Sequence, residues 1–222
     1  MSDKVLIILT STVNINPAKY YMYQTDPLSR INTYLYGVRQ WLYKTNFKIC
    51  LVENSGYPFD ELNIEKDKFS HRFQIVSYTE NTHEPTAHII NSTSKGESEL
   101  YAINYAFENC RFTESCDFII KLTARYFISE LEKYLGDFIM NDWDSLTQNN
   151  RNRCEMVGCN KSNFYDVFNV SLIDEFGVYH SHIEDVWKNR TSKYIRLIVC
   201  KEFQIESTVR GGAPDNQPFT TI

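Results

Sequence analysis

The residues with the clearest chemical potential follow an apolar run, D-F-I-I-K-L-T-A-R-Y-F, at positions 117–127. Such a run predicts a strand buried on both faces, and its carboxyl end carries Lys121, Thr123 and Arg125. Alternate residues of a strand point the same way, so these side chains share a face if the strand continues that far. Ligands of open α/β sheets bind outside the carboxyl ends of strands, and we therefore predict an anion-binding site here. A solvated strand end before a helix is the alternative.

Hydroxyl groups follow a second apolar run nearer the start of the chain. Val5–Leu9 predicts a central parallel strand, and Thr10, Ser11 and Thr12 come directly after it. A loop of hydroxyl side chains and free amides is suited to hold a nucleotide. An ordinary Ser/Thr turn is the alternative.

A carboxylate ends the next predicted strand, which covers 47–52 and is followed by Glu53. The segment 30–43 between these strands has apolar residues at helical spacing. Strand, helix and strand form a βαβ unit whose right-handed crossover sets the two strand ends side by side, so we expect Glu53 near Thr10. There Glu53 could accept hydrogen bonds from a ribose or a base imide, or it could cap a turn.

Two further groups of polar residues lie in the second half of the chain. Glu184 and Asp185 stand at the start of a predicted helix, where carboxylates also complement the helix dipole. His180 and His182 could share a metal, but no third ligand is in view. The stretch E-S-T-V-R-G-G at 206–212 combines Arg210 with two glycines, which suits a loop closing over phosphate; a loose tail is the alternative.

Composition limits the classes of protein that the chain can belong to. It has 222 residues, 42% of them hydrophobic and 14% aromatic, which is typical of one globular domain rather than a disordered chain. The net charge of -5 and the lack of a basic block argue against a nucleic-acid partner. No stretch predicts a signal peptide or a transmembrane segment, so we expect a cytoplasmic protein whose six cysteines are mostly buried thiols.

The pattern of apolar residues predicts the elements that position these groups. Predicted strands cover 5–9, 47–52, 73–78, 117–127, 168–173 and 195–200, with a hairpin turn at 174–177. Predicted helices cover 30–43, 59–69 and 130–140, and two more begin at Lys95 and after Asp185. We expect a single domain over 1–222 whose first half, 1–128, binds a nucleotide and whose second half, 129–222, binds an acceptor.

Three of these features occur in a familiar order: the strand end L-V-E-N-S-G at 51–56, the helix start Lys95-Gly96, and a strand followed by a three-residue site. That order resembles the nucleotide-sugar domain of GT-A glycosyltransferases. The chain is similar in particular to small glycosyltransferases encoded by large DNA viruses, in which an opening such as V-L-I-I-L-T-S-T and a strand end such as K-L-T-A-R-Y recur. The resemblance covers most of the chain and implies an α/β fold with a GT-A-like, Rossmann-type mixed, mostly parallel sheet flanked by helices.

The resemblance also implies roles for the polar residues. It assigns the nucleoside of a UDP-sugar donor to Thr10, Ser11, Thr12 and Glu53. It likens Glu184-Asp185 to the Glu-Asp motif that inverting GT-A enzymes place beneath the acceptor hydroxyl, so that Glu184 or Asp185 is the expected base. Inversion is favoured because no dedicated nucleophile is evident.

One departure from the family concerns the metal. Most GT-A enzymes carry D-x-D where this chain has Thr123-Ala124-Arg125, and a guanidinium cannot bind Mg²⁺ or Mn²⁺. We expect Arg125, with Lys121, Thr123 and Arg210, to bind the donor diphosphate without a required metal. The alternative is Mn²⁺ or Mg²⁺ held by the donor phosphates and one carboxylate such as Asp185. The D-x-D letters at 142–144 follow a predicted helix rather than the strand, and we exclude them from the site.

These inferences predict a glycosyltransferase, of the hexosyltransferase type, that moves a sugar from a UDP-sugar donor to a glycan acceptor. If the chain is viral, the host cytoplasm is the expected location. Two alternatives remain open. One is a non-catalytic nucleotide- or carbohydrate-binding module on the same scaffold. The other is a nucleotidyltransferase, although the glycine-rich basic loop expected after 5–9 is missing.

Overall fold

A computed structural model describes residues 2–19, 22–149, 153, 155–174, 176–209 and 218–222. Its strands are β1 (Val5–Ser11), β2 (Lys48–Glu53), β3 (Phe73–Ser77), β4 (Phe118–Thr123), β5 (Ser145–Thr147), β6 (Met156–Asn160), β7 (Leu197–Val199), β8 (Gln204–Val209) and β9 (Pro218–Thr221). Its α-helices are α1 (Pro27–Lys44), α2 (Asn63–Lys68), α3 (Lys95–Asn109), α4 (Leu131–Leu135), α5 (Phe164–Val167) and α6 (Ile183–Ser192). Among the helices described, none is both long and apolar enough to cross a bilayer.

A seven-stranded mixed sheet in the order β3-β2-β1-β4-β6-β5-β7 forms the centre of the molecule. Strands β3, β2, β1 and β4 are parallel neighbours, whereas β6 runs antiparallel to both β4 and β5. The register places Ser11 beside Glu53 and Thr10 beside Thr123. The predicted α/β class, the mostly parallel sheet and the meeting of these strand ends are therefore confirmed.

The sheet separates two apolar cores, because alternate residues of its buried strands face opposite sides. Ile7 and Leu9 of β1 pack in the core beneath α1, whereas Leu6 and Ile8 pack in the core beneath α3 and α6. Every residue of β1 is buried, as its unbroken aliphatic sequence predicts. Burying one such aliphatic side chain contributes about 1.5–3 kcal/mol, so the two cores together hold the strand ends in place.

Helix α1 begins with a favourable start sequence. Asp26 accepts a hydrogen bond from the amide of Ser29 at 2.8 Å, and Pro27 occupies the first turn. Its predicted apolar stripe is buried against β1, β2 and β4. Gly37 lets the helix approach β4 closely, because a Cβ at this position would lie 2.1 Å from the carbonyl oxygen of Ala124. The turn after β4 is therefore packed directly against α1.

The second half differs more from the prediction. Helix α4 ends at Leu135 rather than at Met140, since the amide of Gly136 already closes the last turn onto the carbonyls of Glu132 and Lys133. The segment 168–173 is not a strand. Its carbonyls at Asn169 and Ser171 accept hydrogen bonds from Arg190 instead of from a neighbouring strand.

The structure also differs from the prediction after β7, the strand at one edge of the sheet. Residues 206–209 were expected in a closing loop, with a loose tail as the alternative, but they lie in β8, which pairs antiparallel with β9. The flanking apolar residues Phe203 and Ile222 are buried, which explains why the segment is ordered. The short strands β5 and β6 went unrecognised because their polar and small residues hide the strand pattern. Five of the cysteines are buried free thiols, in agreement with the prediction, and Cys154 lies outside the described residues.

Candidate functional site

A cavity of about 840 Å³ lies at the carboxyl ends of β1, β2 and β4, between the first turns of α3 and α6 on one side and α1 on the other. Six of the predicted site residues line it: Thr10, Ser11, Thr12, Lys121, Thr123 and Arg125. Glu184, one of the two predicted bases, lines it as well. The parallel strand ends thus gather polar groups around one cleft, which is the usual ligand position in open α/β sheets.

The three hydroxyl residues at the end of β1 each donate a hydrogen bond within the protein. Thr10 donates to Glu99 at 3.0 Å, Ser11 to the carbonyl of Val52 at 2.9 Å, and Thr12 to the Oδ1 of Asn54 at 2.6 Å. A hydroxyl that donates inward keeps oxygen lone pairs for a ligand. The loop therefore presents acceptor groups to the cavity in a fixed orientation.

Glu53 does not line the cavity, and 0% of its surface is exposed. One carboxylate oxygen accepts from the amide of Val13 and the hydroxyl of Ser55, and the other accepts from the amides of Ser55 and Tyr57. Burial raises the pKa of Glu53, while these hydrogen bonds act in the opposite direction. We correct the predicted role of Glu53 from nucleoside ligand to organiser of the loops after β1 and β2, because both of its oxygens are engaged.

A polar cluster that the sequence did not reveal lies where Glu53 was expected to act. Asn54 and Glu80, which follow β2 and β3, are buried and line the cavity. The Nδ2 of Asn54 donates to Glu80 at 3.2 Å, and Ser98 and Lys19 reach the other oxygen of Glu80 at 3.0 and 3.5 Å. The available signal was position, since Asn54 and Glu80 also stand just past predicted strands.

Lys121 lies on the α3 and α6 side of β4, with only 1% of its surface exposed. Its Nζ lies 2.7 Å from Glu99 on α3 and 4.7 Å from the ring centre of Trp187 on α6. A buried ammonium needs an opposite charge nearby, and Glu99 supplies it. The charge of Lys121 is therefore compensated within the protein.

Arg125 lies on the opposite side of β4 from Lys121. The shared face expected for Lys121 and Arg125 required the strand to continue to Arg125. The strand ends at Thr123, so the alternation of side chains does not reach Arg125. The Nη1 of Arg125 donates to the side-chain oxygen of Gln24 at 3.0 Å and to the carbonyl of Val209 at 3.2 Å. Its Nη2 donates to the hydroxyl of Tyr34 on α1 at 3.4 Å.

Arg30, in the first turn of α1, is a cavity residue that the sequence analysis missed. It is 2% exposed and donates to the carbonyls of Thr12 and Gln24 and to the hydroxyl of Tyr34. Burial lowers the pKa of Arg30, and the neighbouring charge of Arg125 lowers it further. The missed signal was its spacing, because Arg30, Tyr34 and Val38 follow one another on the buried face of α1.

The start of α6 forms one wall of the cavity. Glu184 lies in its first turn and lines the cavity, whereas Asp185 is exposed and is not a lining residue. Gly96 at the start of α3 allows the two helices to meet, because a Cβ there would lie 2.9 Å from the Cβ of Ile183. The arrangement favours Glu184 over Asp185 as a group that could contact a ligand.

His180 and His182, which the sequence offered only as a weak metal pair, have different surroundings. His180 lies 2.8 Å from Asp174 across the turn that Gly177 completes with a φ of 79°. This hydrogen bond lowers the pKa of Asp174. His182 precedes α6 and lines the cavity. The predicted turn is present at Asp174, Phe176 and Gly177, while Glu175 lies outside the described residues.

Comparison with solved structures identifies the type of fold. The chain is similar to a protein described as a nucleotide-diphospho-sugar transferase from Desulfovibrio desulfuricans G20, with a TM-score of 0.50, 15% identity, and 90% of this chain and 80% of the other covered. It has GT-A-type architecture. A cytidylyltransferase from Leptospira borgpetersenii is also similar, with a TM-score of 0.50, 13% identity, and coverage of 89% and 76%. No protein-family model and no curated protein matches the sequence.

The divalent metal that GT-A enzymes commonly use does not fit the residues present. The triplet Thr123-Ala124-Arg125 at the end of β4 offers a guanidinium in place of carboxylates. In the part of the chain that the structure describes, no three or more His, Cys, Asp or Glu side chains are grouped to hold an ion. Glu99, a carboxylate that lines the cavity beside the strand end, is bonded to Lys121 and Thr10. The chemistry of this donor set therefore suits an anion better than a cation.

Two remaining predictions concern residues away from the cavity. Asp144 precedes β5 and forms an ion pair with Arg196 at 2.5 Å, which lowers the pKa of Asp144. Neither it nor Asp142 lines the cavity, in keeping with their exclusion from the site. Arg210, the predicted phosphate ligand of the closing loop, lies outside the described residues.

Proposed function

We propose that this protein is a glycosyltransferase that transfers a sugar from a UDP-sugar to a hydroxyl of a carbohydrate acceptor, with inversion. The observation that carries the proposal is the division of charge around the cavity. Arg30 and Arg125, buried and without a carboxylate partner among the described residues, lie on one side, and the carboxylate of Glu184 lies on the other. Direct displacement needs a cationic leaving-group site opposite a base.

The nucleoside end of the donor fits the polar loop after β1 and the cluster after β2 and β3. Thr10, Ser11 and Thr12 offer hydroxyl oxygens to the ribose. The Nδ2 of Asn54 has a second hydrogen for a carbonyl oxygen of uracil, and the oxygen of Glu80 that accepts from Asn54 keeps a lone pair for the imide N–H. This arrangement supports a UDP-sugar and replaces the contact expected from Glu53.

The proposed reaction is a single displacement at the anomeric carbon. The acceptor hydroxyl oxygen forms a bond to this carbon while its proton passes to the carboxylate of Glu184. The bond from the same carbon to the diphosphate oxygen breaks, and the electron pair leaves with UDP. Arg125 neutralises the negative charge that develops on the leaving diphosphate, a role that a metal fills in many enzymes of this fold. We propose that no metal is required for this step.

A binding screen and an activity assay test the proposal together. Ligands that bind only the folded state raise the melting temperature, so a panel of nucleotide sugars with and without Mn²⁺ should yield a shift for a UDP-sugar. The same donor, incubated with carbohydrate acceptors, should release UDP. No shift with any nucleotide sugar and no UDP release would refute the proposal. Binding without release would favour the non-catalytic binding module.

A nucleotidyltransferase is the second candidate, since a cytidylyltransferase has the same fold at an equal TM-score. The segment between β1 and α1 weighs against it. Residues 12–26 contain no glycine, and Lys19 within them donates to the carbonyl of Ile89 and pairs with Glu80. Incubation with CTP or UTP and a sugar phosphate distinguishes the two, because only a nucleotidyltransferase would release inorganic diphosphate.

A further inference from the structure

We infer that Arg30 and Arg125 form one anion-binding cradle with Tyr34 between them, and that its ligand is the diphosphate group of a nucleotide-sugar donor. The inference rests on the proposed function for the nature of that donor. It adds Arg30, a residue that no motif indicated, to the groups that bind the donor.

The two guanidinium groups are held side by side by shared partners. The Nη2 atoms of Arg30 and Arg125 lie 2.7 and 3.4 Å from the same hydroxyl oxygen of Tyr34. Both also donate to Gln24. Arg30 donates to the backbone carbonyl of Gln24 at 2.9 Å, and Arg125 donates to the side-chain oxygen of Gln24 at 3.0 Å. Their relative position is therefore fixed before a ligand arrives.

Among the residues described, the cradle has no ion-pair partner, and the charge of Glu53 acts on Arg30 only from beyond ion-pair distance. Arg30 is 2% exposed and Arg125 is 7% exposed, and neither lies within 4.0 Å of a carboxylate oxygen among the residues described. Two like charges that are buried together repel each other more strongly than they would in water. Each keeps N–H groups beyond the three bonds it makes, and both line the cavity. An anion in the cavity would supply the missing charge.

Arg190, a buried arginine outside this cavity, provides a comparison because its contacts are those of a structural residue. Arg190 is 9% exposed and donates to the carbonyls of Val167, Asn169 and Ser171. Burial lowers its pKa, and no second arginine contributes among the residues described. Carbonyl oxygens can therefore satisfy one buried arginine in this fold, but they do not explain why Arg30 and Arg125 are placed together at a cavity wall.

The chemistry of two adjacent guanidinium groups indicates a ligand with two anionic centres. Each guanidinium is a planar fork that matches two oxygens of one phosphate, and arginine is preferred over lysine where this geometry matters. A diphosphate has two phosphates and more than one negative charge, so it would satisfy both forks at once. A lone carboxylate would compensate only one of them.

Calorimetric titration of the full chain with inorganic diphosphate, in EDTA, tests the cradle without a nucleotide. We expect the wild-type protein to bind, and Arg30→Gln and Arg125→Gln each to weaken binding by about tenfold to a hundredfold through loss of charged hydrogen bonds. Arg30→Lys should bind with intermediate affinity, because it keeps the charge and loses the fork. Arg72→Gln is the matched control, since Arg72 also donates to carbonyls, of Leu42 and Phe47, but lies at the amino end of β3.

Melting temperatures measured without ligand establish that each variant is folded. The cradle is refuted if the wild-type protein does not bind diphosphate, or if both Arg30 variants bind it as tightly as the wild type. Diphosphate binding that depends on Arg30, without affinity for any nucleotide sugar, would leave the cradle standing and overturn the proposed function. Nucleotide-sugar binding that is unchanged in the Arg30 variants would do the reverse.

Discussion

The buried cations on the two sides of strand β4 differ in whether a carboxylate pairs with them. On the side of α3 and α6, Lys121 is paired with Glu99 at 2.7 Å and packs over Trp187. On the side of α1, Arg30 and Arg125 share the hydroxyl of Tyr34 and have no carboxylate partner among the described residues. Burial alone therefore does not mark a ligand-binding cation. The decisive difference is whether the protein supplies the opposite charge.

This contrast divides the cavity into two working regions. The balanced side, where Glu184 also lies, pairs its buried lysine with a carboxylate and, under the proposed function, suits a neutral acceptor and the proton that it loses. The unbalanced side suits the diphosphate that leaves. Four predictions test or refine this division.

The largest effect is expected from the unbalanced side. Arg125→Ala should lower turnover by about a hundredfold to a thousandfold, as loss of a preorganised charge at a leaving group typically does. Arg125→Lys should recover only part of that loss. EDTA should leave wild-type turnover near its initial value, because the guanidinium charge belongs to the chain. An assay in which EDTA abolishes activity and Mn²⁺ restores it would contradict this prediction.

A slightly smaller effect is expected from the base on the balanced side. Glu184→Gln should lower turnover by about a hundredfold while the affinity for the donor stays nearly unchanged, since the base acts on the acceptor proton. Asp185→Asn provides the comparison, because Asp185 is exposed and does not line the cavity. If Asp185→Asn lowers turnover and Glu184→Gln does not, Asp185 is the base and the assignment of Glu184 is wrong.

A double-mutant cycle on Lys121 and Glu99 measures the free energy by which the two residues stabilise each other. Glu99→Gln leaves a buried ammonium uncompensated and should destabilise the fold by about 3 kcal/mol. The double variant with Lys121→Met should lose less stability than the two single changes added together. Lys121→Met should weaken donor binding by no more than about threefold. A loss of tenfold or more would instead support the direct phosphate contact that the sequence suggested for Lys121.

The smallest effect concerns the packing that holds Arg125 near α1. Gly37→Ala places a methyl group where the carbonyl oxygen of Ala124 now lies, so the turn after β4 must shift. Overpacking of this kind should destabilise the protein by about 1–3 kcal/mol and weaken donor binding. Asn32→Ala, on the exposed face of the same helix, is the control. Unchanged donor affinity in Gly37→Ala would mean that the turn tolerates displacement.

The sequence predicted the parallel strands and the meeting of their ends because long aliphatic runs and right-handed crossovers leave little freedom. It could not predict the partners of the side chains at those ends. Glu53 was expected to contact a ligand, but the loops around it supply enough amides to engage both oxygens. Lys121 was expected to bind phosphate, but Glu99, far along the chain, lies beside it.

Arg30 and Arg125 illustrate a second limit. Strand β4 ends at Thr123, four residues before the end of the predicted strand, and the turn that follows places Arg125 on the other side of the sheet. Arg30 appeared to belong to an ordinary amphipathic helix, because its spacing from Tyr34 and Val38 marks the buried face but does not indicate a ligand. In the second half of the chain, the apolar residues show no clear helical or strand periodicity. The strands there are short and contain polar residues, and one segment is hydrogen-bonded to Arg190. Tertiary partners decided each of these cases.

The contact between Gly96 and Ile183 also has a consequence for engineering the range of acceptors. Helices α3 and α6 start in contact with each other because Gly96 has no side chain. A Cβ at position 96 would lie 2.9 Å from the Cβ of Ile183. A larger residue at position 96 would act as a wedge that pushes the start of α6 outward. Under the proposed function, we expect this shift to widen the pocket beside Glu184 and to admit bulkier acceptor molecules, without altering the arginines.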